Sequence, residues 1–179
     1  EISNRVRPHH TLASVWSWMH CVCASVFELN PTAMCVVGNI VMIYIEGKAC
    51  WILIDLDASC DLGAPAGQKV TSSAFFPPEM ARRELDKLKD KPESEPETVV
   101  ASKQFEMWYI GLLVYQLTTL DSLTVWSSDQ ADNIDGLQMR QLAYEWDVLK
   151  AAKLDRIVWP QAKHLVTWLL QENVTHRPQ

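Results

Sequence analysis

Positive charge is what this chain most lacks. Its 16 lysines and arginines are outnumbered by 22 aspartates and glutamates, leaving a net charge of −6 over 179 residues. That balance carries no electrostatic footprint for nucleic acid, which needs clustered Lys and Arg. No polybasic stretch suits an anionic membrane surface either. Glycine is scarce, with six in the chain, and Gly63 and Gly67 lack the G-x-G-x-x-G spacing of a phosphate-cradling loop. Five cysteines (Cys21, Cys23, Cys35, Cys50 and Cys60) are an odd count without framework spacing, so they read as reduced thiols of a cytoplasmic protein. His20 beside Cys21-x-Cys23 is half of a metal pattern, but no second Cys/His pair stands at a matching distance. The apolar stretch Leu12 to Phe27, preceded by Arg5 and Arg7, imitates a signal peptide without its cleavage site. It is shorter than the roughly 20 residues a membrane span needs, and it reads as a buried helix. There is no internal repeat.

What is present is a core. Hydrophobic residues make up 48% of the chain, and eight tryptophans are spread from Trp16 to Trp168. This length and composition predict one domain over 1–179, mainly α-helical with few strands. Thr11 to Phe27 reads as an internal helix, ended by Glu28-Leu29-Asn30-Pro31. The β-branched run Asn39 to Ile45, the turn Glu46-Gly47-Lys48 and the run Cys50 to Leu56 predict a β-hairpin. Asp57 to Ser73 reads as loop, and Pro78 to Leu88 as a short charged helix opened by Pro. Residues 89–98 (KDKPESEPET, counted from Lys89) read as a flexible surface insert. Gln104 to Thr118 reads as a strongly apolar central helix, and Asp121 to Gly136 as polar loop. Leu142, Trp146, Leu149 and Leu154 set a helical period over 137–154, and a final helix is expected over 160–171.

The stretch Trp51 to Glu79 carries the chemistry. An apolar strand ends on Asp55 and Asp57, a Gly/Pro/Ser-bearing loop follows, and Pro77-Pro78-Glu79 closes it. Further on stand Glu106-Met107-Trp108-Tyr109-Ile110-Gly111 and Thr175-His176-Arg177-Pro178. Taken together, this order resembles the C-terminal lobe of a eukaryotic protein kinase of the Ser/Thr type: metal-binding strand end, activation segment over about 55–79, Ala-Pro-Glu closure, core helix and late Arg. The resemblance is strong from Asn39 to Arg177. It implies an α+β kinase-like lower lobe with one hairpin and no N-terminal lobe in this chain.

The resemblance also assigns roles. Asp55 takes the place of the magnesium-binding Asp, in Asp55-Leu56-Asp57, and Asn39 that of the second magnesium ligand, so both imply Mg-ATP as cofactor. Read without the family, Asp55 is a strand-end acid and Asn39 a turn residue. Ser72 stands where the family has the Thr that touches its catalytic Asp and Lys, and Phe75 lies with it in the substrate-facing loop. Glu79 is expected to pair with Arg177, and Glu106 to hold the catalytic-loop backbone, while Trp108 and Gly111 are core residues. The catalytic positions themselves fall on Met34 and Val36. Neither side chain can act as a base or steady a transferred phosphoryl group.

Three functions follow. One is a Ser/Thr kinase domain, present as a fragment or with a scrambled stretch between Cys21 and Val37, that does not transfer phosphate as the sequence is written. The second is a pseudokinase that binds a protein partner without catalysis. The third, an unrelated helical structural protein, requires the spacing from Asp55 to Arg177 to be coincidence. A protein substrate or protein partner is expected in the first two cases, with no nucleic acid and no membrane.

Overall fold

The computed structural model describes residues 31–32, 39–46, 48–55, 58–66, 72–88, 98–119 and 125–179. The expected helix over 11–27, the positions Met34, Val36, Leu56 and Asp57, and nearly all of the insert 89–98 lie outside the described residues. The fold is mainly helical. Among the described residues no helix is long and apolar enough to cross a membrane.

The organising element is α2, Lys103–Thr119; the helix before it is α1, Pro78–Lys87. Every residue of α2 from Phe105 to Gln116 is buried, as an apolar helix without a polar face must be. Its start is fixed locally: the Ser102 hydroxyl accepts the Phe105 N–H at 3.0 Å, and the Ser102 carbonyl accepts the Glu106 N–H at 3.1 Å. In α1, Pro78 occupies the first turn, where its missing N–H costs nothing and its fixed φ suits a helix.

The expected helix over 137–154 is two helices. α3 is Gly136–Tyr144 and α4 is Trp146–Lys153, followed by a 3-10 turn at Leu154–Arg156. Glu145 breaks the run with φ −126° and ψ 8°. Two distant contacts hold the break. The Arg82 Nε–H donates to the Ala143 carbonyl at 2.7 Å, and the buried Trp146 indole donates to the Leu170 carbonyl at 2.7 Å. The periodic residues Leu142, Trp146 and Leu154 are nonetheless all fully buried. α3 opens on a capping box, in which Asp135 accepts the Gln138 N–H and Gln138 accepts the Asp135 N–H. The last helix, α5, is Pro160–Leu169.

Helix α5 packs along α2 at Gly111. A Cβ at that position would lie 2.6 Å from Leu170 Cδ2 and 3.0 Å from Leu169 Cβ, so only glycine permits the approach. Beside it, Trp108 and Trp146 meet edge to face with centroids 5.3 Å apart, and Trp126 lies 6.1 Å from Trp146. Indoles fill large volumes in this geometry while keeping their N–H groups available for bonding.

The strands are peripheral. β2 (Ile40–Ile45) and β3 (Lys48–Leu53) form the expected antiparallel hairpin, registered Ile40 to Leu53 and Ile45 to Lys48. That register places Ile43, Ile45 and Ile52 on one face, each more than a third exposed. A second, two-residue pair was not expected: β1 (Pro31–Thr32) runs antiparallel to β4 (Cys60–Asp61), inside the stretch read as loop. Beyond β4 the chain stays tied down. Gly63 and Ala66 donate to the carbonyls of Ala101 and Val99, and Ala101 donates back to Ala64. The segment leading toward α1 is thereby fastened to the lead-in of α2.

Candidate functional site

Glu79 and Arg177 stand 98 residues apart in sequence and form a two-pronged ion pair. Arg177 Nη1 donates to Glu79 Oε1 and Nη2 to Oε2, both at 2.7 Å. Glu79 comes from the first turn of α1, and Arg177 follows the 3-10 turn Val174–His176. The Arg177 side chain is fully buried. Burial is tolerable because every N–H has an acceptor. Nε donates to the Gln171 carbonyl at 2.9 Å, and longer bonds of 3.4 Å reach the carbonyls of Gln104 and Glu172. The guanidinium carbon also lies 5.1 Å from the Trp108 ring. One arginine therefore joins α1, the start of α2 and the loop after α5.

Trp108 carries the connection onward. Its indole N–H donates to the Phe75 carbonyl at 3.2 Å. Phe75 belongs to the 3-10 turn Ser73–Phe75 and is buried. Its ring is thus a core group, where the substrate-facing role expected from sequence requires exposure. The Ser72 hydroxyl donates to the Ala131 carbonyl at 3.1 Å, while the catalytic positions its motif implies as partners, Met34 and Val36, lie outside the described residues. Asn133 accepts from both the backbone N–H and the hydroxyl of Ser73, and the Ser73 oxygen accepts the Ile134 N–H. Asp129 shapes that loop by accepting the N–H groups of Ala131 and Asn133. Segment 72–76 is thereby latched to loop 129–134.

Asn39 and Asp55 lie together at the open end of the hairpin. The Ile54 N–H donates to the Asn39 carbonyl at 2.7 Å, which brackets the strand ends with these two residues. Asp55 is exposed and has φ +57°, a left-handed conformation that Asp adopts more readily than most residues. The metal role that the resemblance implies would draw on an amide oxygen and a carboxylate, donors of the kind a hard cation takes. Among the described residues, no group of three or more His, Cys, Asp or Glu is placed to hold a metal by itself.

Glu106, in the first turn of α2, is 6% exposed, and its Oε2 has no hydrogen-bond partner among the described residues. Burial pushes its carboxyl up to about 8. Tyr109, one turn on, is pushed well above the usual phenol value by burial and then by Glu106 and Glu79, so it remains neutral.

Two contributors were not anticipated from sequence. Arg82, besides capping α3, donates to Glu172 Oε1 at 2.6 Å, and Glu172 Oε2 accepts the Asp147 N–H at the start of α4. Arg83 donates to the Ala66 carbonyl and to Glu84. The signal available was the pair Arg82-Arg83 directly after Pro77-Pro78-Glu79, on a helix read only as charged. A cleft of about 900 Å³ opens beside this network, lined by Glu79, Arg82, Tyr144, Asp147 and Glu172 among others. Asn39 and Asp55 are not among its described lining residues.

Comparison with protein-family models and with curated proteins yields no match for this chain.

Proposed function

We propose that the chain is the lower lobe of a Ser/Thr-type protein kinase fold that no longer transfers phosphate and acts by holding a protein partner. The observation that carries this reading is the Glu79–Arg177 pair. A carboxylate closing a Pro-Pro-Glu segment is bound in two-pronged fashion by an arginine beyond the last helix, with Trp108 of the core helix against it. Such a tether fixes the end of segment 55–79 to the helical core, which is what a substrate-facing loop requires to hold its shape. The position of Asn39 and Asp55 at one end of the hairpin supports the same ancestry.

Magnesium-bound ATP is the cofactor this reading implies. Asn39 and Asp55 are the residues that would hold the metal, which would neutralise charge on the phosphates when bound. Loss of transfer rests on Met34 and Val36. A thioether and an isopropyl group can neither accept the proton of an attacking hydroxyl nor offset phosphoryl charge.

The test is a phosphoryl-transfer assay with the purified chain, Mg-ATP and a generic Ser/Thr substrate. No incorporation above the no-enzyme control is expected. Incorporation that disappears in Asp55→Ala would overturn the loss of activity. A calorimetric titration with Mg-ATP, run alongside, should show at most weak binding that falls further in Asp55→Ala.

A further inference from the structure

We infer that Glu106 is held as the neutral acid in the folded protein, and that its ionisation is a pH-dependent element built into the first turn of α2. A carboxylate is stable inside a protein only when water, hydrogen-bond donors or a cation replace the solvent it has lost. Water has little access, since the residue is 6% exposed. No donor reaches Oε2 among the described residues.

The neighbouring cations are engaged elsewhere. Arg177 is bound to Glu79 and to the carbonyls of Gln171, Gln104 and Glu172. Arg83, on α1, is bound to Ala66 and Glu84. On α2 itself Lys103 is exposed, and Tyr109 is a buried neutral phenol. From α5, Lys163 is paired with Asp155 and His164 faces solvent, as does His176 in the 3-10 turn. Glu79 is itself neutralised by the two-pronged bond from Arg177, so burial alone sets the Glu106 carboxyl. The helix dipole favours an acid in a first turn, but this is a surface-scale effect against the burial of a full charge.

The direction of the linkage follows. Burial raises the Glu106 carboxyl from 4.5 to about 8. Between those values the folded chain holds a proton that the unfolded chain has released. Folding stability from this group is therefore fully present below pH 4.5, falls as pH rises through the interval, and is flat above about 8. One proton corresponds to about a tenfold change in the folding equilibrium constant per pH unit. Ionisation leaves an unpaired charge where α2 meets its lead-in, the segment to which Gly63 and Ala66 are fastened. The burial of Glu106 does not depend on whether the chain binds nucleotide.

Carbon-13 NMR of the intact chain labelled at glutamate carboxyls decides the matter. One carboxyl is expected to titrate near pH 8, and that resonance is expected to be absent from Glu106→Gln. If every glutamate of the wild-type chain titrates in the ordinary carboxylate range, the proposal is overturned, whatever the variant does. Urea unfolding supplies the second readout. Relative to Glu106→Gln, the wild type should lose about tenfold in folding equilibrium per pH unit between 4.5 and about 8. Parallel stability curves for the two proteins would also overturn it. Glu106→Leu, which leaves no buried polar group, serves the same comparison if the Gln variant does not fold.

Discussion

The Trp108 indole N–H donates to the Phe75 carbonyl at 3.2 Å, so a central helix holds the turn before α1 from inside the core. The same ring stacks near the Arg177 guanidinium, 5.1 Å away, and meets Trp146 edge to face. Trp108 is therefore a joint among three parts of the chain, and its N–H is the polar component of that joint.

Trp108→Phe should keep much of the packing and lose the hydrogen bond. It leaves the Phe75 carbonyl without its indole donor, which costs about 1–3 kcal/mol. Trp108→Ala adds a large cavity and should cost about 3–5 kcal/mol. Urea unfolding of both variants checks the order, and a Trp108→Phe variant as stable as the wild type would show that the hydrogen bond contributes nothing beyond ring volume.

The Glu79–Arg177 pair makes a sharper prediction. Removing either partner strands the other as a buried charge, so Glu79→Gln and Arg177→Ala should each cost about 3–5 kcal/mol. The double variant should cost clearly less than the sum, since residues in direct contact do not add. Arg177→Lys should not restore stability, because one ammonium cannot reproduce the fork that meets both carboxylate oxygens. Additive losses in a double-mutant cycle would show that the two groups are not coupled.

Much of this arrangement is legible in the sequence. The helix α2 announces itself because an apolar run of this length has one stable solution in a small domain. The hairpin follows from β-branched runs either side of Glu46-Gly47-Lys48, and the partnership of Glu79 with Arg177 from two motifs. What stayed hidden was set by contacts across long sequence distances. Periodicity gave the buried residues Leu142, Trp146 and Leu154 but not the break at Glu145, because Arg82 and the Leu170 carbonyl hold it from elsewhere. The motif gives Phe75 a substrate-facing place and Ser72 a contact with the catalytic positions. The bonds the structure shows, from the Trp108 indole to the Phe75 carbonyl and from Ser72 to a carbonyl in loop 129–134, are ones no local pattern announces.

The second tether should be weaker than the first. Arg82 and Glu172 are bonded at 2.6 Å, but their side chains are 35% and 22% exposed, so water already screens the pair. Glu172→Gln should cost within about 1 kcal/mol, as partly exposed ion pairs do. Arg82→Ala should cost somewhat more, because it also removes the donor to the Ala143 carbonyl at the end of α3. A loss from Glu172→Gln as large as that from Arg177→Ala would refute this ranking.

Gly111 offers the last test, because two opposed effects meet there and their sizes decide the sign. Alanine is favoured over glycine inside a helix by about 1 kcal/mol. The added methyl would lie 2.6 Å from Leu170 Cδ2, 2.9 Å from its Cγ and 3.0 Å from Leu169 Cβ. The first of these atoms can swing aside. The other two are close to the backbone of the chain leaving α5, so relief requires the helices to part. Overpacking of this kind costs about 1–3 kcal/mol, and the net effect of Gly111→Ala should be destabilising. Pairing it with Leu170→Ala should recover part of the loss, since the same volume is then vacated on the facing side. If Gly111→Ala instead raises the unfolding midpoint, α2 and α5 are not in the close contact described.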